Sequence, residues 1–162
     1  MGAVFCIRFM NLMQIDTPFG PMVLAEEGEQ LTHLYLKAAW AAQQTQRPTP
    51  LLRRAERELQ EYFARQRRQF DLPLAPQGTP FQQSVWQALR QIPYGQTASY
   101  KQIAQTIGHP TACRAVGGAN NKNPLPIFIP CHRVIGAGGS LTGYAGGLDL
   151  KQGLLALEAK YP

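Results

Sequence analysis

Between Met10 and Leu36, apolar residues come in short runs separated by turn residues. Met10 to Asp16 leads to the turn Thr17, Pro18, Phe19, Gly20, and Pro21 to Ala25 leads to the polar turn Glu26 to Glu29. Leu31 to Leu36 closes the set. Short runs bounded by turn signals predict strands, here an antiparallel meander. Residues 38–48 are rich in Ala and Gln and carry no clear period. The period changes at Thr49, where a capping hydroxyl followed by Pro50 predicts a helix start. Leu52, Ala55, Leu59 and Phe63 recur at helical spacing, with Arg53, Arg54, Arg57 and Glu61 on the other face. Arg65, Arg67 and Arg68 then read as a solvated helix end that complements the negative pole of the dipole. The proline-rich run Asp71 to Gly78 reads as a linker between a first domain, 1–76, and a second, 77–162.

In the second half, Thr79, Pro80 and Gln82 predict a capping-box helix. Its stripe is Phe81, Val85 and Leu89, with Trp86 beside it, and Pro93, Tyr94, Gly95 end it. Ser99 and Gln102 predict another capping box, with Ile103, Ala104 and Ile107 facing inward and Gly108 as the stop. A further helix spans residues 111–120. Two short helices around a glycine-containing turn resemble a helix-turn-helix. The second is built from Ala112, Ala115, Gly117, Gly118 and Ala119, and Arg114 is its one long side chain. Each glycine weakens a helix by about 1 kcal/mol relative to alanine, while small residues let another backbone come close. From these residues alone, two settings fit equally well: a narrow nucleic-acid groove with Arg114 pushed into the base stack, and tight helix–helix packing.

Beyond the polar loop 120–124, Ile127, Phe128 and Ile129 predict a short buried strand. Pro130, Cys131, His132, Arg133 and Val134 follow where that strand surfaces. Two glycine loops come next, Gly136 to Gly139 and Gly143 to Gly147, and neither has dinucleotide-fingerprint spacing. The last helix opens with Asp149 as cap and Gln152 as its third residue, and Leu150, Leu154 and Leu157 form its stripe. Glu158 is the one acid of this half without a capping task.

Charge adds a direction. Residues 1–78 carry nine Lys/Arg and eight Asp/Glu, a net of +1; residues 79–162 carry seven and two, a net of +5, within a chain of +6. That field suits a polyanion such as nucleic acid, or a merely basic surface. No run is long enough to cross a membrane, and the N-terminus lacks signal-peptide and myristoylation patterns, so no membrane partner is expected. Residues 1–9 read as an extension ahead of Met10. Three cysteines without paired spacing (Cys6, Cys113, Cys131) predict a reducing cytosol. With no C-x-x-C or H-x-x-x-H cluster, no zinc site is expected, nor any other cofactor. Cys131 beside His132 is weak evidence by itself, because neighbours in a strand point to opposite faces.

The chain resembles the O6-alkylguanine-DNA alkyltransferases. The resemblance rests on I-P-C-H-R-V-I at 129–135, N-P at 123–124, R-A-V-G-G-A at 114–119 and G-Y-A-G-G at 143–147, with P-F-Q-Q-S-V-W at 80–86 and P-Y-G-Q at 93–96. It is looser over 10–76, where T-P-F-G-P at 17–21 and E-Y-F at 61–63 still fit. It implies an α/β ribonuclease-H-like N-terminal domain and a mostly α, winged-helix-like C-terminal domain with a helix-turn-helix. It further implies direct reversal of DNA damage: the recognition helix enters the minor groove, an O6-alkylguanine (or O4-alkylthymine) is flipped out, and the alkyl group passes irreversibly to a cysteine.

On these matches Cys131 is the acceptor, His132 the base acting through a water, and Glu158 the carboxylate that orients the imidazole. Asn123 ties the active-site turn to the helix-turn-helix, and Tyr100 helps rotate the phosphate and donates to the guanine ring. Arg114 takes the vacated base position. Lys101 and Lys122 join it on the DNA surface, with Ala115, Gly117 and Gly118 as the close-approach face. Tyr144, Val134 and Ala145 line the guanine pocket; some relatives carry serine at the Ala145 position, and the zinc ligands of some N-terminal domains are absent. The implied partner is double-stranded DNA bearing O6-alkylguanine, met by a protein that is monomeric without DNA and cytoplasmic, on the nucleoid of a prokaryote. A thiol is mostly protonated at neutral pH, so a His held neutral by Glu158 is the base this chemistry needs. A cysteine hydrolase or redox thiol would use the same pair but leaves the helix-turn-helix and the charge asymmetry unexplained. A non-catalytic lesion sensor would lack the cysteine. A helix-turn-helix regulator would need a polar reading helix, and 111–119 is poor in such side chains.

Overall fold

The structure, a computed structural model, describes residues 10–37 and 39–159; Cys6 and the extension 1–9 lie outside them. The chain divides into two compact units between Pro76 and Gln77.

The first unit holds the meander: β1 (Asn11–Thr17), β2 (Gly20–Glu27) and β3 (Gln30–Tyr35), antiparallel in the order β1-β2-β3. Both hairpins are tight. Thr17 pairs with Gly20, and Glu27 with Gln30. The second turn shrinks to Gly28 and Glu29, both at positive φ (58° and 62°), the backbone that suits the right-handed twist of a two-residue hairpin. β2 therefore runs on through Glu26 and Glu27, which had read as turn. Helix α1 (Pro50–Phe63) is capped by Thr49, whose hydroxyl accepts from the Leu52 amide at 3.1 Å. Leu52, Ala55, Leu59 and Tyr62 are buried, and the helix packs on β1 and β2.

Two readings change here. Arg67 is not part of a solvated helix end. The chain reverses at Arg65 (φ 61°) and brings Arg67 back over α1, 3.3 Å from Glu58 and 2.8 Å from Glu61. Glu58 is buried and also takes Arg54 at 3.2 Å and the Asp71 amide at 2.9 Å. Nor is Asp71–Gly78 a linker throughout. Leu74 bridges Leu31 in parallel, the Leu31 amide donates to Pro73 O and the Ala75 amide to Leu31 O, both at 2.8 Å. Its first half is a sheet edge beside β3.

The second unit contains α2 (Pro80–Leu89), β4 (Ala98–Ser99), α3 (Tyr100–Thr106), α4 (Cys113–Asn121), β5 (Val134–Ile135) and α5 (Leu148–Ala159). Both capping boxes form, Thr79 with Gln82 and Ser99 with Gln102. The core gathers Val85, Trp86, Leu89, Ile103, Val116 and Leu154. The Trp86 indole donates to Ala119 O at 2.9 Å, pinning α4 to α2. α3 and α4 pack together across a turn at Gly108 (φ 80°). α5 starts at Leu148, so Asp149 sits inside its first turn rather than capping it. There its charge still favours the positive pole of the helix.

The predicted strand at 127–129 is absent. Ile127 takes φ 73° and the chain folds back on itself, with Pro126 and Ile129 as an isolated bridge. Prolines at 124, 126 and 130 leave too few amides for a ladder. Leu125, Ile127, Phe128 and Ile129 are nonetheless buried. The apolarity marked the core correctly, and the geometry is a turn. Among the described residues, no helix is long and apolar enough to cross a membrane.

Candidate active site

The chain leaves this turn at Pro130 and enters a short 3-10 helix, Cys131–Arg133, which leads directly into β5. Neighbours no longer alternate across a strand, because three residues make a full turn. Strand alternation therefore no longer sends the Cys131 and His132 side chains to opposite faces. Cys131 is 3% exposed and does not sit where a strand surfaces; His132 is completely buried. The turn is braced by Asn123, which follows Lys122, the residue capping the C-terminus of α4. Its amide donates to Ile129 O at 2.8 Å and its carbonyl accepts from the Leu125 amide at 3.0 Å. Asn120, within α4, donates to Cys131 O at 3.3 Å.

His132 Nε2 lies 2.8 Å from Glu158 Oε1. Glu158, 1% exposed, also takes a two-pronged contact from Arg133, Nε to Oε2 at 2.9 Å and Nη2 to Oε1 at 2.8 Å, and the Gly95 amide at 3.3 Å. Burial alone would raise its pKa; the hydrogen bonds from His132 and Arg133 outweigh that and hold it at about 2. An ionised carboxylate only accepts, so Nε2 carries the imidazole proton and Nδ1 keeps its lone pair. Nδ1 is buried and has no hydrogen-bond partner. Burial pushes the His132 pKa down against the pull of Glu158, which leaves the ring neutral at neutral pH. Burial likewise pushes the Cys131 thiol up, while hydrogen bonds with Asn123 and Tyr144 and the charge of Lys151 favour the thiolate.

The sequence gives Arg133 and Lys151 no task, although Arg133 stands within the I-P-C-H-R-V-I run. Arg133 Nη1 donates to Ile92 O at 2.7 Å, and its guanidinium lies 5.7 Å from the Tyr94 ring centroid. Lys151 is wholly buried on α5, with Nζ donating to Val134 O at 2.6 Å and Thr142 O at 2.9 Å. Their partners are mostly backbone carbonyls supplied by distant segments, which no local pattern announces.

The remaining candidates fall into two groups. Val134 is buried three residues past the cysteine and Tyr144 hydrogen-bonds with the thiol, while Ala145, the next residue, is exposed. Tyr100 opens α3; its hydroxyl is 3.4 Å from both Thr142 O and Thr142 Oγ1. Arg114, Ala115 and Gly118 are exposed along α4, Gly117 is half-buried facing the Tyr100 ring, and Lys101 and Lys122 are exposed near by in sequence. Among the described residues, no group of three or more His, Cys, Asp or Glu side chains is placed to hold a metal ion.

Residues 12–76 match the family described as 6-O-methylguanine DNA methyltransferase, ribonuclease-like domain, and residues 80–160 its DNA binding domain. The constitutive methylated-DNA–protein-cysteine methyltransferase of Bacillus subtilis is 51% identical over 151 residues, 88% of this chain and 92% of that one. The methylated-DNA–protein-cysteine methyltransferase of Mycobacterium tuberculosis is 50% identical over 147 residues, 89% of each chain. The crystal structure of M. tuberculosis O6-methylguanine methyltransferase aligns with TM-score 0.85 at 46% identity over 94% of both chains. A crystal structure of that organism's protein in complex with DNA aligns equally well, TM-score 0.85 at 47% identity over 93% of both. With both domains matched in order and about half of all positions identical to its relatives, the chain belongs to the methylated-DNA–protein-cysteine methyltransferase family.

Proposed function

We propose that this protein reverses alkylation damage in double-stranded DNA, taking the alkyl group from O6 of guanine, and from O4 of thymine, in one irreversible transfer to Cys131. The observation that carries the reading is the buried Cys131 next to a neutral imidazole whose far nitrogen is fixed by Glu158 at 2.8 Å. His132 Nδ1, acting through a water, takes the thiol proton. The sulfur attacks the alkyl carbon, the C–O bond breaks, and its electron pair stays on the guanine. Tyr100 donates a hydrogen to that leaving anion. Displacement at an alkyl carbon needs no oxyanion hole, and the Lys151 charge favours the thiolate while it exists.

A thiol 3% exposed cannot meet a base inside a duplex. The base therefore comes to it, flipped out at a cost of a few kcal/mol that is smaller for a damaged pair. α4 supports this: its exposed residues Ala115 and Gly118 are small enough for a minor groove, and on this reading the exposed Arg114 fills the vacated position. Val134, Tyr144 and Ala145 then line the guanine pocket, with Lys101 and Lys122 on phosphates. On this reading β1–β3 with α1 is a ribonuclease-H-like core, and α3–α4 with β4–β5 is a winged-helix-like one. The protein acts as a cytoplasmic monomer on the nucleoid.

Incubation with duplex DNA containing one O6-methylguanine is expected to add one methyl mass to the intact protein, and none to Cys131→Ser. No gain in the wild type, or a gain that survives the substitution, sinks the proposal.

A further inference from the structure

Thr142 stands where three parts of the second unit meet, and the chemistry above gives it no task. Its carbonyl accepts from the buried Lys151 Nζ at 2.9 Å, and the same Nζ holds Val134 O at 2.6 Å. The loop that carries Tyr144 and Ala145 is thus pinned from beneath at Thr142. From above, the Tyr100 hydroxyl lies 3.4 Å from that carbonyl and 3.4 Å from Thr142 Oγ1. A phenol has one proton to give and lone pairs to receive. The arrangement that satisfies both contacts has Tyr100 donating to Thr142 O while Thr142 Oγ1–H donates to the Tyr100 oxygen.

We infer that Thr142 is a positioning residue for the transfer, and that its side-chain hydroxyl makes Tyr100 the better hydrogen donor to the guanine leaving group. The inference rests on the reading that Tyr100 meets the flipped base. When the base enters, Tyr100 exchanges the Thr142 carbonyl for a guanine ring nitrogen. The carbonyl keeps its bond to Lys151, so nothing buried is left unpaired. The threonine hydroxyl goes on donating to the phenol oxygen. As the alkyl C–O bond breaks, its electron pair moves into the guanine and the phenol proton is drawn toward the ring nitrogen. The negative charge this leaves on the phenol oxygen is stabilised by the Thr142 hydrogen, and hydrogen bonds in such a chain reinforce one another. Both contacts are long in the free protein, as suits a donor that must let go of its resting partner.

Thr142 is exposed, so its replacement leaves the core intact. The test measures single-turnover methyl transfer at saturating duplex DNA, together with DNA affinity, for Thr142→Val, Thr142→Ser, Tyr100→Phe and the Tyr100→Phe/Thr142→Val pair. Loss of one supporting hydrogen bond predicts transfer about five-fold slower in Thr142→Val. DNA affinity stays unchanged, and Thr142→Ser restores the rate to within about two-fold of the wild type. In the Tyr100→Phe background the valine is expected to change nothing further. Three results overturn the inference: a wild-type rate in Thr142→Val, equal slowing by the valine with and without the Tyr100 hydroxyl, or a Tyr100→Phe protein as fast as the wild type. Failure of the alkyl-transfer reading itself looks different, since the wild type would then gain no methyl at all.

Discussion

Glu158 is asked to hold an imidazole and to stay charged in a place with almost no water. The hydrogen bond from His132 favours the ionised carboxylate, but the neutral ring brings no charge of its own. Arg133 adds two short hydrogen bonds at 2.8 and 2.9 Å and a full positive charge, and the two partners together offset the burial of the carboxylate. The Arg133–Glu158 pair is then neutral as a whole, and so Glu158 can orient His132 without charging it. Such a carboxyl is also a stability switch. Its pKa falls from 4.5 in the unfolded chain to about 2, so the stabilisation is complete above about pH 4.5 and disappears as pH drops toward 2. Thermal melts from pH 7 to pH 2 should show the wild type losing more stability over that window than Glu158→Gln. Parallel curves would count against the pairing. At this scale Glu158 was legible because an acid without a local task stood alone in a basic half. Arg133 and Lys151 were not. Arg133 stands in the motif without a task of its own and Lys151 has no local partner, and only the tertiary fold brings Ile92 O, Val134 O and Thr142 O to them.

Among the elements, α4 carries an internal conflict. Gly117 and Gly118 weaken it as a helix, yet a Cβ added at Gly118 would meet nothing within 4 Å. The protein itself does not require that glycine. A single Gly118→Ala change is therefore expected to stabilise the free protein by about 1 kcal/mol while weakening duplex binding, because the added methyl occupies the face proposed to enter the groove. Chemical denaturation and DNA titration of the same variant check both signs. A gain in stability with unchanged affinity would show that α4 does not approach DNA by this face. The capping boxes at Thr79 and Ser99 were readable because their partners lie three residues away. The turn at 127–129 was not. Three apolar residues specify burial but no direction, and the prolines around them, which do, weigh against a strand only when a ladder partner is sought.

For the whole molecule, the division of charge matters more than its sum. The second half, at +5, carries the exposed Lys101, Arg114 and Lys122 on or beside α3 and α4, the helices proposed to meet DNA. Binding should weaken as salt rises, and Lys101→Ala should flatten the log–log slope by about one. An unchanged slope would take Lys101 off the phosphate surface. The division of the chain was itself only half legible. Proline marked the neighbourhood of the boundary, but the first residues of that run are spent on the sheet edge at Leu31.

The near-complete burial of Cys131 has a consequence for a population of these molecules. On the proposed reading, an acceptor used once and buried in the protein interior makes the protein a counter. Its response to damage is a titration with an end point at one lesion per molecule, approached quickly and then flat. Protection against a second exposure is then set by fresh synthesis, and a cell's tolerance is a number of chains in stock.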